Sequence, residues 1–141
     1  MQTIQVPYAL KLCAFDPVRH YADDAGTDLC CMEDFTVPAF GSACVDTGTS
    51  MAVPKGYGGL LVSRSGLNVH FEMTSTGLID SGYADSIRVR IYNMSDKDYE
   101  FKAGDRITQI VFVRIGIPEL VKVDRVPGGE RGKNGFGSTG R

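Results

Sequence analysis

The clearest periodicity in the chain runs from Ser86 to Asn93, where Ile87, Val89 and Ile91 alternate with Arg88, Arg90 and Tyr92. Successive side chains of a strand point to opposite faces, so this pattern predicts a strand with one buried and one polar face. The arginine face is ordinarily a solvated one; a contact between subunits is the alternative. Arg106 to Ile115 is different, because Ile107, Ile110, Val111, Phe112, Val113 and Ile115 exceed what one buried face needs. It predicts a strand inside a sandwich core or between subunits.

Shorter extended runs are Pro7 to Leu12, Asp28 to Met32, Phe35 to Val37, Tyr57 to Ser63, Tyr99 to Phe101 and Glu119 to Val123. Ala43 to Val53 reads as one long strand, broken by Gly48 and closed by Pro54-Lys55-Gly56. Arg64 to Asn68 predicts one short helical turn. Val69 to Met73 and Gly77 to Ile79 predict the two arms of a hairpin bent at Thr74-Ser75-Thr76. No window of a dozen residues keeps a helical period. About eight to ten short strands with regular turn signals therefore predict an all-β domain, a sandwich or jelly-roll-like barrel.

Composition narrows this further. A chain of 141 residues suits a single domain with a real core. Its 15 Lys+Arg against 17 Asp+Glu, a formal net charge of −2, argue against a general nucleic-acid or membrane-surface binder. Cys13, Cys30, Cys31 and Cys44 have neither C-x-x-C nor metal-ligand spacing with His20 or His70, so they read as reduced thiols in strands. Reduced thiols, no basic leader and no apolar run near the roughly 20 residues of a membrane span together predict a soluble, cytoplasmic protein. After Pro127 the composition turns glycine-rich and charged, which divides the chain into a β-domain (1–126) and a flexible arm (127–141).

Candidate chemistry sits at the turns. Thr76-Gly77-Leu78-Ile79-Asp80-Ser81-Gly82-Tyr83 sets one carboxylate beside one ring, which suits orienting a water and gripping a flat or sugar-like ligand; a tight turn whose Asp bonds its own backbone is the plainer alternative. Ala25-Gly26-Thr27-Asp28-Leu29, Ser63-Arg64-Ser65-Gly66-Leu67 and Gly104-Asp105-Arg106-Ile107-Thr108-Gln109 combine glycine, hydroxyl and guanidinium groups able to meet phosphate. Each is weak alone. The tail lacks a Walker loop, yet Phe136 within a glycine run could close over a flat ligand. A solvated tail with an incidental Phe is the alternative.

Taken in order, A-G-T-D-L, S-R-S-G-L, G-L-I-D-S-G-Y, G-D-R-I-T-Q and R-G-K-N-G-F-G-S-T-G closely resemble the five motifs of the trimeric dUTPase family, from Ala25 to Gly140. The resemblance implies a homotrimer whose three sites are each built from all three subunits, hydrolysing dUTP to dUMP and pyrophosphate with Mg²⁺. It gives Asp80 the role of orienting the attacking water at the α-phosphorus, and Tyr83 that of packing on deoxyribose. Arg64, Ser65, Gly66 and Gln109 match phosphate-contacting positions, and Asp28 matches the acid near the metal's water shell. Thr74, Gly77 and Ile79 fall on the segment expected to wall the uracil, and Arg131, Phe136, Gly137, Ser138 and Thr139 match the closing arm.

The chain departs from the family pattern at Ser63 for a proline, Asp85 for a glycine, Asn134 for an arm glycine and Thr108 for an alanine. Asp85 places a second acid near Asp80. Two further readings share the resemblance: a dCTP deaminase-like enzyme, which needs an additional acid-base glutamate, and a dUTP-responsive regulatory protein with a partner that reads the closed arm.

Overall fold

The computed structural model describes residues 2 to 140, leaving Met1 and Arg141, the outer limits of the two predicted units, outside the described residues. Its elements are β1 (Tyr8–Leu10), β2 (Gly26–Cys30), β3 (Phe35–Val37), β4 (Ser42–Asp46), β5 (Thr49–Met51), β6 (Tyr57–Val62), α1 (Ser65–Phe71), β7 (Met73–Ile79), β8 (Arg88–Asn93), β9 (Tyr99–Phe101) and β10 (Arg106–Arg114). A six-stranded sheet runs β2-β10-β6-β7-β8-β4, every pair antiparallel, beside the two-stranded pairs β1-β5 and β3-β9. This is the all-β architecture that the alternation predicts.

The core forms where one face of the large sheet meets the smaller pairs. Leu29, Leu61, Met73, Val89, Ile91, Ile107 and Ile110 come from the sheet, Val37 and Phe101 from β3-β9, and Met51 from β5. β8 alternates without exception, with Val89, Ile91 and Asn93 buried and Arg88, Arg90 and Tyr92 exposed. In β10 the surplus of apolar residues stays half uncovered: Ile107 and Ile110 are buried, whereas Val111 and Phe112 are only partly so and Val113 is exposed. Phe101 stacks on Phe35 at 4.9 Å between ring centroids and is 2% exposed. Phe101→Ala is expected to cost about 3–5 kcal/mol, read as a lower urea midpoint at unchanged slope.

Five local expectations are corrected. The long strand from Ala43 to Val53 is two strands, because the Asp46 carboxylate accepts the Gly48 N–H at 2.8 Å and turns the chain between β4 and β5. The helical turn at Arg64 extends to Phe71, and Val69 belongs to it. The hairpin bent at Thr74-Ser75-Thr76 does not exist, since β7 runs straight through these residues with Met73 and Ser75 buried. Helix α1 ends at Glu72, whose left-handed backbone (φ 53°) reverses the chain instead. Glu119 to Val123 pairs with no other strand among the described residues, and its Leu120 and Val121 lie open to solvent. The thiols are free, as expected, but only Cys30 and Cys44 lie in strands: Cys13 sits in a turn at φ 67° and Cys31 lies just past the end of β2. Burial pushes the Cys30 and Cys31 thiols up, which keeps them protonated and unreactive.

Candidate functional site

Register gathers three of the motif segments at one end of the sheet. Asp28 on β2 pairs with Gln109 on β10, and Gln109 pairs in turn with Val62, one residue before Ser63 and two before Arg64. Gly26 supplies the close approach this needs, because a Cβ there would stand 2.0 Å from Gln109 Oε1. Gln109 Nε2 donates to the Ser63 carbonyl at 3.0 Å, tying the strand to the turn that carries Arg64. That turn keeps Arg64 extended (φ −70°, ψ 139°) before α1 begins.

Two guanidinium groups converge on one carboxylate oxygen. Arg64 Nε donates to Asp28 Oδ2 at 3.1 Å and Arg106 Nη1 to the same atom at 3.3 Å, while Arg64 Nη1 donates to the Arg106 carbonyl at 3.2 Å. His20 Nε2 lies 3.1 Å from Arg106 Nη1. A guanidinium only donates, so His20 accepts through this nitrogen. Arg64, Asp28, Ser65, Gly66, Gln109 and His20 line a cavity of about 260 Å³. Asp24 also lines the cavity, so two aspartates balance Arg64 and the adjacent Arg106, and an anionic group enters by taking Arg64 from Asp28. Ser65 and Gly66 are exposed at its rim, free to meet a ligand.

Asp80 and Tyr83 lie elsewhere. β7 runs antiparallel to β6, with Thr76 beside Val62 and Ile79 beside Gly59. Asp80 therefore falls level with Gly58, six residues or roughly 20 Å along the sheet from Arg64. Here the sheet forks. Pairing of β7 with β8 ends at Thr76↔Arg90, whereas pairing with β6 continues to Ile79. The segment ahead of β8 leaves to bond the β4–β5 connection, Ile87 N–H to the Thr49 carbonyl at 2.8 Å and Thr47 N–H to the Ile87 carbonyl at 3.0 Å. The β8-facing backbone edge of Gly77, Leu78 and Ile79 is thus outside the ladder, free to meet the polar edge of a ligand.

The loop across this fork is Asp80 to Asp85. Gly82 takes φ +94°, a conformation a side chain would strain, and lets the Tyr83 N–H return to the Asp80 carbonyl at 3.2 Å. The Tyr83 hydroxyl donates to the Ser86 carbonyl at 2.9 Å. Asp80 and Tyr83 are exposed, Tyr83 with 42% of its surface open. Asp85, the second acid, is turned onto the Ser86 N–H at 2.7 Å.

Thr74 is placed with the other end, in the part of β7 that pairs with β8, its hydroxyl 3.4 Å from Ser63 Oγ. In the arm, Arg131 Nη1 donates to Ser138 Oγ at 3.1 Å; Phe136, Gly137 and Thr139 form exposed turns, with Phe136 wholly uncovered. One chain thus holds an anion cavity, a forked slot with an acid and a ring, and a detached aromatic arm as three separate parts. Arg106 and His20 escape sequence reasoning as site residues. Arg106 stands inside the G-D-R-I-T-Q segment without a role of its own, and His20 sits in a polar loop that carries no pattern.

Among the described residues no group of three or more His, Cys, Asp or Glu could hold a metal ion. Mg²⁺ prefers to keep its waters and bind through phosphates, so one accessible carboxylate oxygen suffices. Both arginines occupy Asp28 Oδ2, and no side-chain partner among the described residues is found for Oδ1. That arrangement fits a water-mediated contact to a metal that arrives with an anion. No helix among the described residues is long and apolar enough to cross a membrane.

The dUTPase family model matches residues 14 to 140. The chain is 42% identical over 125 residues to a probable deoxyuridine 5'-triphosphate nucleotidohydrolase of Schizosaccharomyces pombe, covering 88% of this chain and 89% of that protein. It is also similar to the dUTPase of Staphylococcus bacteriophage 80alpha solved with dUpNHpp, at 30% identity and TM-score 0.90, covering 99% of this chain and 100% of that one. A mutant dUTPase from phage phi11 of S. aureus, solved with details of the coordination of a structural Mg(II) ion, is 27% identical at TM-score 0.79 over 86% of this chain and 98% of its own.

Proposed function

This chain belongs to the dUTPase family, and from that premise we propose that it hydrolyses dUTP to dUMP and pyrophosphate at sites assembled from several copies of itself. The observation that carries the chemistry is the cavity in which Asp28, Arg64 and Gln109, from three separate motif segments, converge. Phosphoryl transfer is mostly positioning and charge stabilisation, so guanidinium forks, hydroxyls and one oriented water form a sufficient kit. Arg64, Ser65, Gly66 and Gln109 bind the triphosphate. When it binds, Arg64 exchanges Asp28 for phosphate oxygens, a trade of one charge-assisted pair for another.

Asp80 orients the water that attacks the α-phosphorus and takes its proton. Tyr83 packs on the deoxyribose, and the open backbone edge of Gly77 to Ile79 meets the uracil. This edge replaces the expected hairpin wall; Thr74 supports the turn of Ser63 at the phosphate end. Asp28, through Oδ1 and a water, would hold a Mg²⁺ that arrives with the phosphates, and the ion would neutralise their charge. The arm from 127 closes with Phe136 over the base while Arg131, Gly137, Ser138 and Thr139 meet phosphates, keeping bulk water out.

Two observations favour a site shared between copies, in a homotrimer. Asp80 and Arg64 are too far apart in one chain to touch the same phosphate, by the register of β6 and β7. An extended segment with Ile117, Leu120, Val121 and Val126 all largely exposed also leaves the body without covering any part of it, and apolar surface of this kind is buried by association. The dUTPase family model and the nucleotidohydrolase relatives favour the hydrolase reading over a deaminase one.

The test is pyrophosphate release from dUTP against dTTP, UTP and dCTP. A preference for dUTP of two orders of magnitude or more over each is expected, about what a close steric wall and buried polar edges provide. Comparable turnover of dTTP or UTP would refute the uracil slot or the sugar filter respectively.

A further inference from the structure

The loop across the fork holds its aromatic ring by a single side-chain hydrogen bond, and the residue that accepts this bond is itself held by a neighbour with no assigned role. One side of the Tyr83 ring faces a mostly apolar cavity of about 260 Å³, shared with Pro7, Tyr8, Met51 and Ala84. Packing alone therefore leaves the ring room to swing. What restrains it is the bond from its hydroxyl to the Ser86 carbonyl at 2.9 Å. Ser86 is 1% exposed, and the peptide on its far side is anchored by the Ile87 N–H to Thr49. On the near side the anchor is Asp85, whose Oδ1 accepts the Ser86 N–H at 2.7 Å.

Asp85 is absent from the positive-φ residues, so the backbone here does not require the glycine that the family pattern would place. A glycine would leave the Ser86 N–H without this acceptor and loosen the two residues that separate the ring from its anchor. We propose that Asp85 is a positioning residue for sugar discrimination: by fixing Ser86 it holds the Tyr83 ring against the space a 2'-hydroxyl would need. The proposal rests on the reading of Tyr83 as the surface that packs on deoxyribose.

The experiment compares kcat/KM for dUTP and UTP in the full-length protein and its variants. Asp85→Ala is expected to lower the dUTP/UTP ratio roughly tenfold, about the worth of one hydrogen bond. Asp85→Asn, which keeps an oxygen acceptor, should retain most of the ratio. In a Tyr83→Phe background, where the ring bond is already gone, Asp85→Ala should have no further effect, the non-additivity expected of residues acting through one contact. If Asp85→Ala does not accumulate as folded protein, Asp85→Glu, which moves the acceptor outward, is expected to give the same loss.

An unchanged ratio in Asp85→Ala, or additive effects in the double variant, overturns the proposal. Tyr83→Ala separates the two layers. A collapsed ratio in Tyr83→Ala with an intact ratio in Asp85→Ala removes the role of Asp85 alone; an intact ratio in Tyr83→Ala removes the sugar-packing reading and this proposal with it.

Discussion

Asp80→Asn is expected to slow dUTP hydrolysis by about a thousandfold or more, the scale of losing a positioned general base, while leaving dUTP-analogue binding and the assembly unchanged. Asp80 is exposed at the mouth of the fork, and its backbone carbonyl, not its carboxylate, takes the Tyr83 N–H that closes the turn. An amide in its place keeps the shape and the polar surface, so the fold loses nothing it depends on. It loses only an acceptor able to take a proton from water. Binding should persist because the cationic groups stand at the far end of β6, at Arg64 and Arg106. Single-turnover pyrophosphate release and equilibrium binding of a non-hydrolysable analogue check the two halves separately. Near-normal turnover would move the water-orienting role to another group, and lost binding would mean that Asp80 grips the substrate.

Local chemistry explains what the sequence revealed and what it hid. The strand Ser86 to Asn93 was legible because its polar and apolar positions alternate strictly, and a half-buried antiparallel strand has only that requirement. The hairpin expected over 69–79 was misread because Val69 and Phe71 look like strand residues, yet both lie on a short helix whose exposed side they occupy. The real chain reversal at Glu72 uses a left-handed non-glycine residue, which carries no turn signal in the sequence. Asp80 and Tyr83 stood out as candidates through motif order. Their distance from Arg64 depends on strand register, which pairs residues far apart in sequence and leaves no local trace. The same holds for Arg106, brought from far along the chain to both Asp28 and His20.

Mixing two inactive variants is expected to restore activity. One parent is Asp80→Asn with its arm intact; the other keeps Asp80 but ends at Val126, lacking Arg131 and Phe136. Each alone should be inactive, the first for want of the water-orienting acid, the second because no arm closes over the substrate. Co-expressed in equal amounts as a homotrimer, roughly a quarter of sites should draw Asp80 from the truncated parent and the arm from the other, since each contribution has the right parent about half the time. Activity near a quarter of the wild type is therefore the expected result, measured as pyrophosphate release after the assembly is shown to be mixed. This outcome follows from the geometry of one chain: Asp80 and the phosphate cavity lie at opposite ends of β6, and the arm reaches neither within its own copy. If mixed assemblies stay inactive, Asp80 and the arm that serves it must belong to the same chain, and the segment 115–126 must fold back rather than cross to a neighbour. If the truncated parent is active by itself, closure by Phe136 is not needed for turnover, and the exposed aromatic residue in a glycine run loses its only assigned purpose.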